Sequence, residues 1–94
     1  MDTARYRAFV TAADGNSIKH AADVMGYSAS GVSQLIKALE EDLGFKLLHR
    51  TNKGVWPTQE GQAILPEIRE LVRQEDRFME KAAEVRGLDV GRIV

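Results

Sequence analysis

Two short predicted helices, joined by a turn of two or three residues, constrain this sequence more than any other feature. Apolar residues at helical spacing predict the first of them, and the hydroxyl of Ser17 can cap its start. Gly26 follows where a left-handed residue ends a helix, because glycine has no Cβ to clash. Ser28 can cap the next helix, which is predicted to run to about Leu43 and to end at Gly44. This spacing is typical of a helix-turn-helix.

The helix predicted after Ser28 has two different faces. Apolar residues keep helical spacing on one of them and predict a buried stripe: Val32, Ile36, Leu39 and Leu43. The opposite face carries small or polar side chains, which let a helix backbone approach base edges in the DNA major groove. The residues predicted to contact DNA from this helix are Ser28, Ala29, Ser30, Ser33, Gln34 and Lys37. The alternative is an ordinary solvated face, against which the tight preceding turn and the small side chains argue.

The polar side chains on that face suit different parts of DNA. The amide of Gln34 matches the N6 and N7 atoms of adenine, and the methyl group of Ala29 suits a thymine methyl. Ser30 and Ser33 can donate to phosphates or base edges. Lys37, one turn further along, is predicted to meet a phosphate, and the N-terminus of the helix favours a phosphate as well.

One more helix and a hairpin flank the helix-turn-helix. Apolar residues at helical spacing from Tyr6 predict the helix. The segments Leu47–Arg50 and Val55–Pro57 surround the polar turn Thr51–Gly54 and predict a two-stranded β-hairpin. Trp56 is predicted to pack against the helix that follows. Three helices and such a hairpin make a winged helix-turn-helix over residues 1–57, so the fold class is mainly α.

A heptad pattern predicts a long helix over residues 58–86, begun by Thr58. Pro66 predicts a bend near its start, and Glu75 alone interrupts the apolar stripe. About 28 helical residues span about 42 Å, more than so small a body can cover. We therefore predict that the helix pairs two copies of the chain, although the stripe could instead pack on its own domain. The residues predicted to dimerise are Ile64, Ile68, Leu71, Val72, Phe78, Met79 and Ala82.

Composition excludes several classes of function. The chain of 94 residues has no cysteine, which leaves no disulfide framework or thiolate metal site. His20 and His49 lack partners at metal-ligand spacing, and no nucleophile–base pattern or phosphate-binding glycine loop appears, so we predict neither a catalytic site nor a cofactor. The sequence has no apolar run of membrane-spanning length, and a cytoplasmic protein is expected. Because the net charge is −1, the chain as a whole does not attract DNA, and binding would depend on cations that lie close to the phosphates.

Several residues together resemble the N-terminal domain of LysR-type transcriptional regulators. They are Ala21, Ala22, Ser28, Val32, Ser33, Ile36, Leu39, Glu40, Leu43, Gly44, Leu47, Leu48, Arg50, Val55, Thr58 and Gly61. The resemblance covers essentially the whole chain. It implies a bacterial repressor or activator that dimerises through the linker helix, with Lys53 at the tip of a DNA-contacting wing and Arg50 at its base. An ion pair with an acid is the alternative for Arg50.

The resemblance also implies a C-terminal domain that senses a small-molecule effector. Residues 87–94 leave the helical pattern, and we predict that they begin a hinge to that domain, which is missing from this chain. The expected partners are double-stranded DNA with a roughly palindromic operator and a second copy of the chain; whether the full-length protein is a tetramer stays open. The alternative function is a helical protein–protein interaction module without DNA binding.

Overall fold

Left-handed residues end the first three helices of the chain. The computed structural model describes residues 3–93, with side chains for residues 3–87. Helix α1 (Ala4–Gly15) ends at Asn16, whose φ is 53°, α2 (Ile18–Met25) at Gly26, and α3 (Ala29–Leu43) at Gly44. The predicted glycine stops at 26 and 44 are confirmed, with φ of 73° and 87°.

Hydroxyl side chains begin the next three helices, as predicted. The Oγ atoms of Ser17 and Ser28 accept hydrogen bonds, each of 3.0 Å, from the third backbone N–H after them. The Oγ1 atom of Thr58 accepts from Gly61 N at 2.9 Å and so caps α4 (Gln59–Ile93). Thr3 differs, since it precedes α1 without a side-chain cap. Each cap satisfies one of the unpaired N–H groups of a first helical turn.

Helices α1, α2 and α3 enclose the core. Its largest fully buried side chains are Phe9, Val32, Ile36, Leu39 and Leu47. Four fully or nearly fully buried alanines allow the helices to approach closely: Ala8, Ala12, Ala21 and Ala22. The buried stripe predicted for α3 is confirmed at its first three positions, whereas Leu43 is 36 % exposed.

The predicted hairpin is present as an antiparallel pair, β1 (Leu48–Thr51) and β2 (Gly54–Pro57). Leu48 and Val55 face the core. Trp56 lies on the outer face beside His49 and is 43 % exposed, and its predicted packing against the last helix stays a prediction. Strand alternation turns this neighbour of buried Val55 outward.

Asn16 fixes the hairpin to the end of α1. Its backbone oxygen accepts from Val55 N at 3.1 Å, and its side-chain Nδ2 donates to Val55 O, also at 3.1 Å. Gly54 passes so close that a Cβ there would lie 2.3 Å from Asn16 O, and its φ is 135°. The hairpin, which we call the wing, is thus held to the end of α1 through both the N–H and the C=O group of Val55.

Helix α4 is longer than predicted. It runs through Pro66 and continues past residue 86 to Ile93, so the predicted end of the helix is wrong. Gly87 does not adopt a positive φ, because a glycine inside a helix costs only about 1 kcal/mol relative to alanine and no proline follows. The hinge predicted at residues 87–94 stays a prediction, and residue 94 lies outside the described residues. None of the helices within residues 3–93 combines the length and apolar character that crossing a bilayer requires.

Candidate nucleic-acid interface

The outward face of α3 presents the side chains predicted to contact DNA. Ser28, Ala29, Ser30, Gln34 and Lys37 are exposed, and Ser33 is half-buried. Val32 and Ile36 occupy the opposite face and are buried to 1 % exposure or less. The core therefore holds the helix by one side and leaves the other free along its length. Leu35 lies between the two faces and is partly buried against the core.

The hydroxyl of Ser28 has a structural role besides any contact with DNA. It accepts from Gly31 N, and its Oγ atom lies 3.3 Å from the Oγ atom of Ser30. The two serines therefore form one small polar cluster at the N-terminus of α3. The free N–H groups and the helix dipole at this end favour an anion such as a phosphate.

Arg50 joins the wing to α3. It lies on the same face of the hairpin as Leu48 and Val55, which turns its side chain toward the helices. Its Nη1 atom donates to the Oγ atom of Ser33 at 3.2 Å. The alternative of an ion pair with an acid does not occur for Arg50 among the described side chains.

Lys53 occupies the tip of the wing. Residues 52 and 53 form the turn between the paired residues Thr51 and Gly54. Thr51 Oγ1 accepts from Lys53 N at 3.1 Å and donates to Gly54 O at 3.2 Å. These bonds fix the backbone of the turn, so that the ammonium group of Lys53 extends from a rigid base.

A groove of about 700 Å³ separates α3 from β1. It is lined by Ser33, Gln34, Lys37, Glu40, Lys46, Leu48, His49, Arg50 and Thr58. Lys46 was not among the residues predicted to bind DNA, and His49 lies with it in this groove. Their place beside Lys37 depends on where the wing lies relative to α3, a non-local feature that sequence spacing does not show.

The charge around this groove is positive near α3 and the wing. Its one lining acid, Glu40, accepts from Leu47 N at 2.7 Å and lies 3.8 Å from the Nζ atom of Lys46. Asp42, near the far end of α3, pairs with Arg5. Glu40 and Asp42 are therefore engaged by the protein, while the cations of the groove and wing remain exposed. This local arrangement suits a polyanion despite the net charge of −1.

The residues predicted to dimerise divide into two groups. Ile68 is 3 % exposed within its own domain, and Ile64 packs against the same core. Ile68 is therefore not available to a second copy, which corrects the prediction for it, whereas Ile64 is only partly buried and its predicted role in dimerisation stays a prediction. Leu71, Phe78 and Met79 are 50 %, 57 % and 51 % exposed, whereas Val72 and Ala82 are half-buried.

Ion pairs fasten α4 to α1 at two points. Arg69 donates to both carboxylate oxygens of Asp14, at 2.6 and 3.2 Å. Arg7 donates through Nη2 to Glu75 at 2.6 Å and to Asp76 at 2.7 Å. The pKa of Arg7 is raised by its hydrogen bonds to Asp76 and then Glu75, and the pKa of Arg69 by its hydrogen bond to Asp14.

Glu75 accepts hydrogen bonds from two residues at the second of these attachment points, where Arg7 meets α4. The Oγ1 of Thr3 donates to its carboxylate, and Arg7 Nε donates to the same oxygen at 3.2 Å. The hydrogen bonds from Thr3 and then from Arg7 lower the pKa of Glu75 below its ordinary value. Its side chain is 12 % exposed. The single polar break in the heptad stripe is therefore directed at the chain's own first helix.

Sequence comparison matches this architecture to one family of regulators. The profile described as "Bacterial regulatory helix-turn-helix protein, lysR family" matches residues 3–62, from the start of α1 into α4. YbhD of Escherichia coli (strain K12), named as an uncharacterized HTH-type transcriptional regulator, is 36 % identical over 73 residues. Those residues are 78 % of this chain but 23 % of YbhD.

Two solved structures of similar fold are complexes with DNA. The CbnR_DBD–DNA complex superposes with a TM-score of 0.79 and 26 % identity, covering 90 % of this chain and 98 % of that one. The BenM_DBD/benA site 1 DNA complex gives a TM-score of 0.78 and 28 % identity, covering 90 % and 96 %. Both solved DNA-binding chains are thus similar to this chain over nearly the whole length of each.

Proposed function

The chain belongs to the lysR family of bacterial regulatory helix-turn-helix proteins, and from this premise we propose that it is the DNA-binding part of a transcription regulator. Helix α3 enters the major groove, and the wing reaches the minor groove or the flanking phosphates. The observation that carries the proposal is the exposed face of α3, which offers small and polar side chains beside the cations of the groove and wing.

Each element supplies a different kind of contact. Gln34 reads a base edge, with adenine as the matching base, while Ser30 and Ala29 meet bases or sugar near the N-terminus of α3. Lys37 and Lys53 bind phosphates, and Arg50 positions Ser33 at the edge of the groove. Phosphate contacts supply affinity for any sequence, whereas base contacts supply the preference for one.

We propose that two copies pair through α4. Support comes from the exposed apolar side chains of Leu71, Phe78, Met79 and Val85, which follow the heptad spacing; the last three lie beyond the part of α4 that is attached to α1. Two-fold pairing presents two α3 helices to the half-sites of a roughly palindromic operator. Because YbhD is about four times longer than the matched segment, we further propose that an effector-binding domain follows in the complete, cytoplasmic regulator.

Fluorescence anisotropy with labelled duplexes tests this function. A duplex selected by the chain from a randomised pool should bind more tightly than a scrambled duplex, with an affinity that falls steeply as salt rises. Lys53→Ala should weaken binding to both duplexes, and Gln34→Ala should reduce only the preference between them. Lys81→Ala and Gln62→Ala, exposed positions on α4, are the matched controls.

The same measurement distinguishes the proposed DNA-binding function from the alternative, a module that binds other proteins. A helical module that binds proteins would show no preference between duplexes and no response to Gln34→Ala. Equal, weak binding of both duplexes would therefore contradict the proposed function. The relatives YbhD and PgrR of Escherichia coli (strain K12) are both named as HTH-type transcriptional regulators.

A further inference from the structure

The two ion pairs between α1 and α4 are separated by nearly the same distance along each of the two helices. Arg7 and Asp14 are separated by about 10 Å along α1, and Arg69 and Glu75 by about 9 Å along α4, at 1.5 Å per residue. The earlier residue of α1 pairs with the later residue of α4, so the two helices lie antiparallel. Two ion pairs fix the direction of α4 relative to α1, whereas a single pair would leave α4 free to pivot.

Glu75 has a further property that ordinary surface ion pairs lack. Its carboxylate interrupts the apolar heptad stripe and is directed at the chain's own α1, where Thr3 and Arg7 donate to it and leave its side chain 12 % exposed. A buried carboxylate that loses its partner carries a desolvation penalty. The contact is therefore maintained by more than the modest attraction of an exposed pair.

Because a long part of α4 follows Glu75, a small change of angle at this contact displaces the far end of the helix by several ångströms. Helix α4 continues for 17 residues beyond Asp76, to Ile93, which is about 25 Å at 1.5 Å per residue. A tilt of about 10° at the ion pair would move the far end by ~4 Å. That displacement exceeds the rise of one base pair, about 3.4 Å along each strand.

We propose that Glu75 is a specificity-determining residue, which through Arg7 fixes the angle between α4 and the DNA-binding domain and thereby the spacing of half-sites that a dimer accepts. The proposal rests on the proposed function, because spacing has meaning only for a dimer on DNA. Glu75 does not contact DNA in this account. It positions the two α3 helices relative to each other.

The test compares binding to one half-site with binding to two. Duplexes carry either one copy of the half-site selected by the wild-type chain or two inverted copies. The distance between the two copies is varied one base pair at a time over a little more than one helical turn, about 10 base pairs. The wild-type chain should prefer one spacing by about tenfold or more over its neighbours, a difference of about 1.4 kcal/mol.

Two variants of Glu75 separate positioning from folding and from dimer formation. Glu75→Gln removes the charge and should flatten the spacing profile to within about threefold, while binding to a single half-site changes by less than about twofold. Glu75→Leu removes the same hydrogen bonds but leaves the exposed apolar residues Leu71, Phe78 and Met79 in place, so it should dimerise as well as wild type and yet show the same flattened profile. Glu80→Gln, an exposed acid further along α4, should retain the wild-type profile.

The outcomes distinguish this inference from the function on which it rests. If the wild-type chain binds no duplex with preference, the proposed function fails, and the inference fails with it. If wild type prefers one spacing and both Glu75 variants keep that preference, the inference is overturned while the proposed function stands. A flattened profile with intact single-site binding would support both.

Discussion

The guanidinium of Arg50 donates to the hydroxyl of Ser33 across 3.2 Å, connecting the wing to α3 through two side chains. Both elements belong to the proposed DNA interface. The bond therefore fixes the distance between the helix that reads the major groove and the strand that leads to the wing tip.

We predict that Arg50 and Ser33 act on DNA binding as a pair. Arg50→Ala and Ser33→Ala should each weaken binding, and the double variant should weaken it by less than the sum of the two. The expected coupling is about 0.5–1.5 kcal/mol, typical of one net hydrogen bond. A double-mutant cycle by fluorescence anisotropy measures it, and strictly additive losses would contradict the pairing.

Gly61 is predicted to be intolerant of any side chain. An added Cβ would lie 2.2 Å from the carbonyl oxygen of Leu47, because the first turn of α4 lies directly on the chain that enters β1. Gly61→Ala should lower the free energy of unfolding by about 1–3 kcal/mol, measured by urea denaturation.

Gly87 provides the matched control for this prediction. It is also a glycine of α4, but an added Cβ meets nothing within 4 Å. Gly87→Ala should raise the free energy of unfolding by about 0.5–1 kcal/mol. Equal effects of the two substitutions would show that close contact with Leu47 is not the reason for glycine at position 61.

Asn16 is predicted to stabilise the wing in two separable ways. Its side chain donates to Val55 O, and its left-handed backbone, with φ of 53°, ends α1. Asn16→Gly keeps the backbone conformation and loses only the hydrogen bond, with an expected cost of about 0.5–1.5 kcal/mol. Asn16→Ala loses both, so its free energy of unfolding should be lower still. The order of the two variants in thermal melts is the readout, and a more stable alanine variant would contradict it.

Acidification should weaken the attachment of α4 through Glu75. Hydrogen bonds from Thr3 and Arg7 lower the pKa of this carboxyl below its ordinary 4.5. A carboxylate with a depressed pKa contributes stability that is fully present above 4.5 and is lost as pH falls through its folded-state value. The difference in free energy of unfolding between wild type and Glu75→Gln should therefore be present at neutral pH and shrink below pH 4.5. A difference that stays constant across this range would contradict the assigned role.

The helix-turn-helix was predictable because the signals that define it are local. Ser17, Gly26, Ser28 and Gly44 act within one helical turn of their own position, and spacing alone reveals the buried and exposed faces of α3. The exposed face carries most of the proposed site, so the residues of α3 followed directly from the sequence. Local signals were less informative at residue 87, where the helix continues through a glycine.

The contacts that position the wing and α4 were not predictable, because each joins distant parts of the chain. Asn16 contacts Val55, Gly61 approaches Leu47, and Arg7 pairs with Glu75 across 68 positions. Heptad spacing marked Glu75 as an interruption but gave no partner for it. Ile68 was assigned to a dimer for the same reason, since a periodic stripe does not say whether its own domain or a second copy covers it.

The central claim, that α3 and the wing tip together bind DNA, is tested most directly by an NMR titration of the ¹⁵N-labelled chain with its selected duplex. We expect the largest changes in amide chemical shift within residues 28–37 and 51–54. The acidic end of α3, at residues 40–42, should change little. Shifts confined to the far half of α4, or absent from residues 28–37 while the duplex is bound, would contradict it.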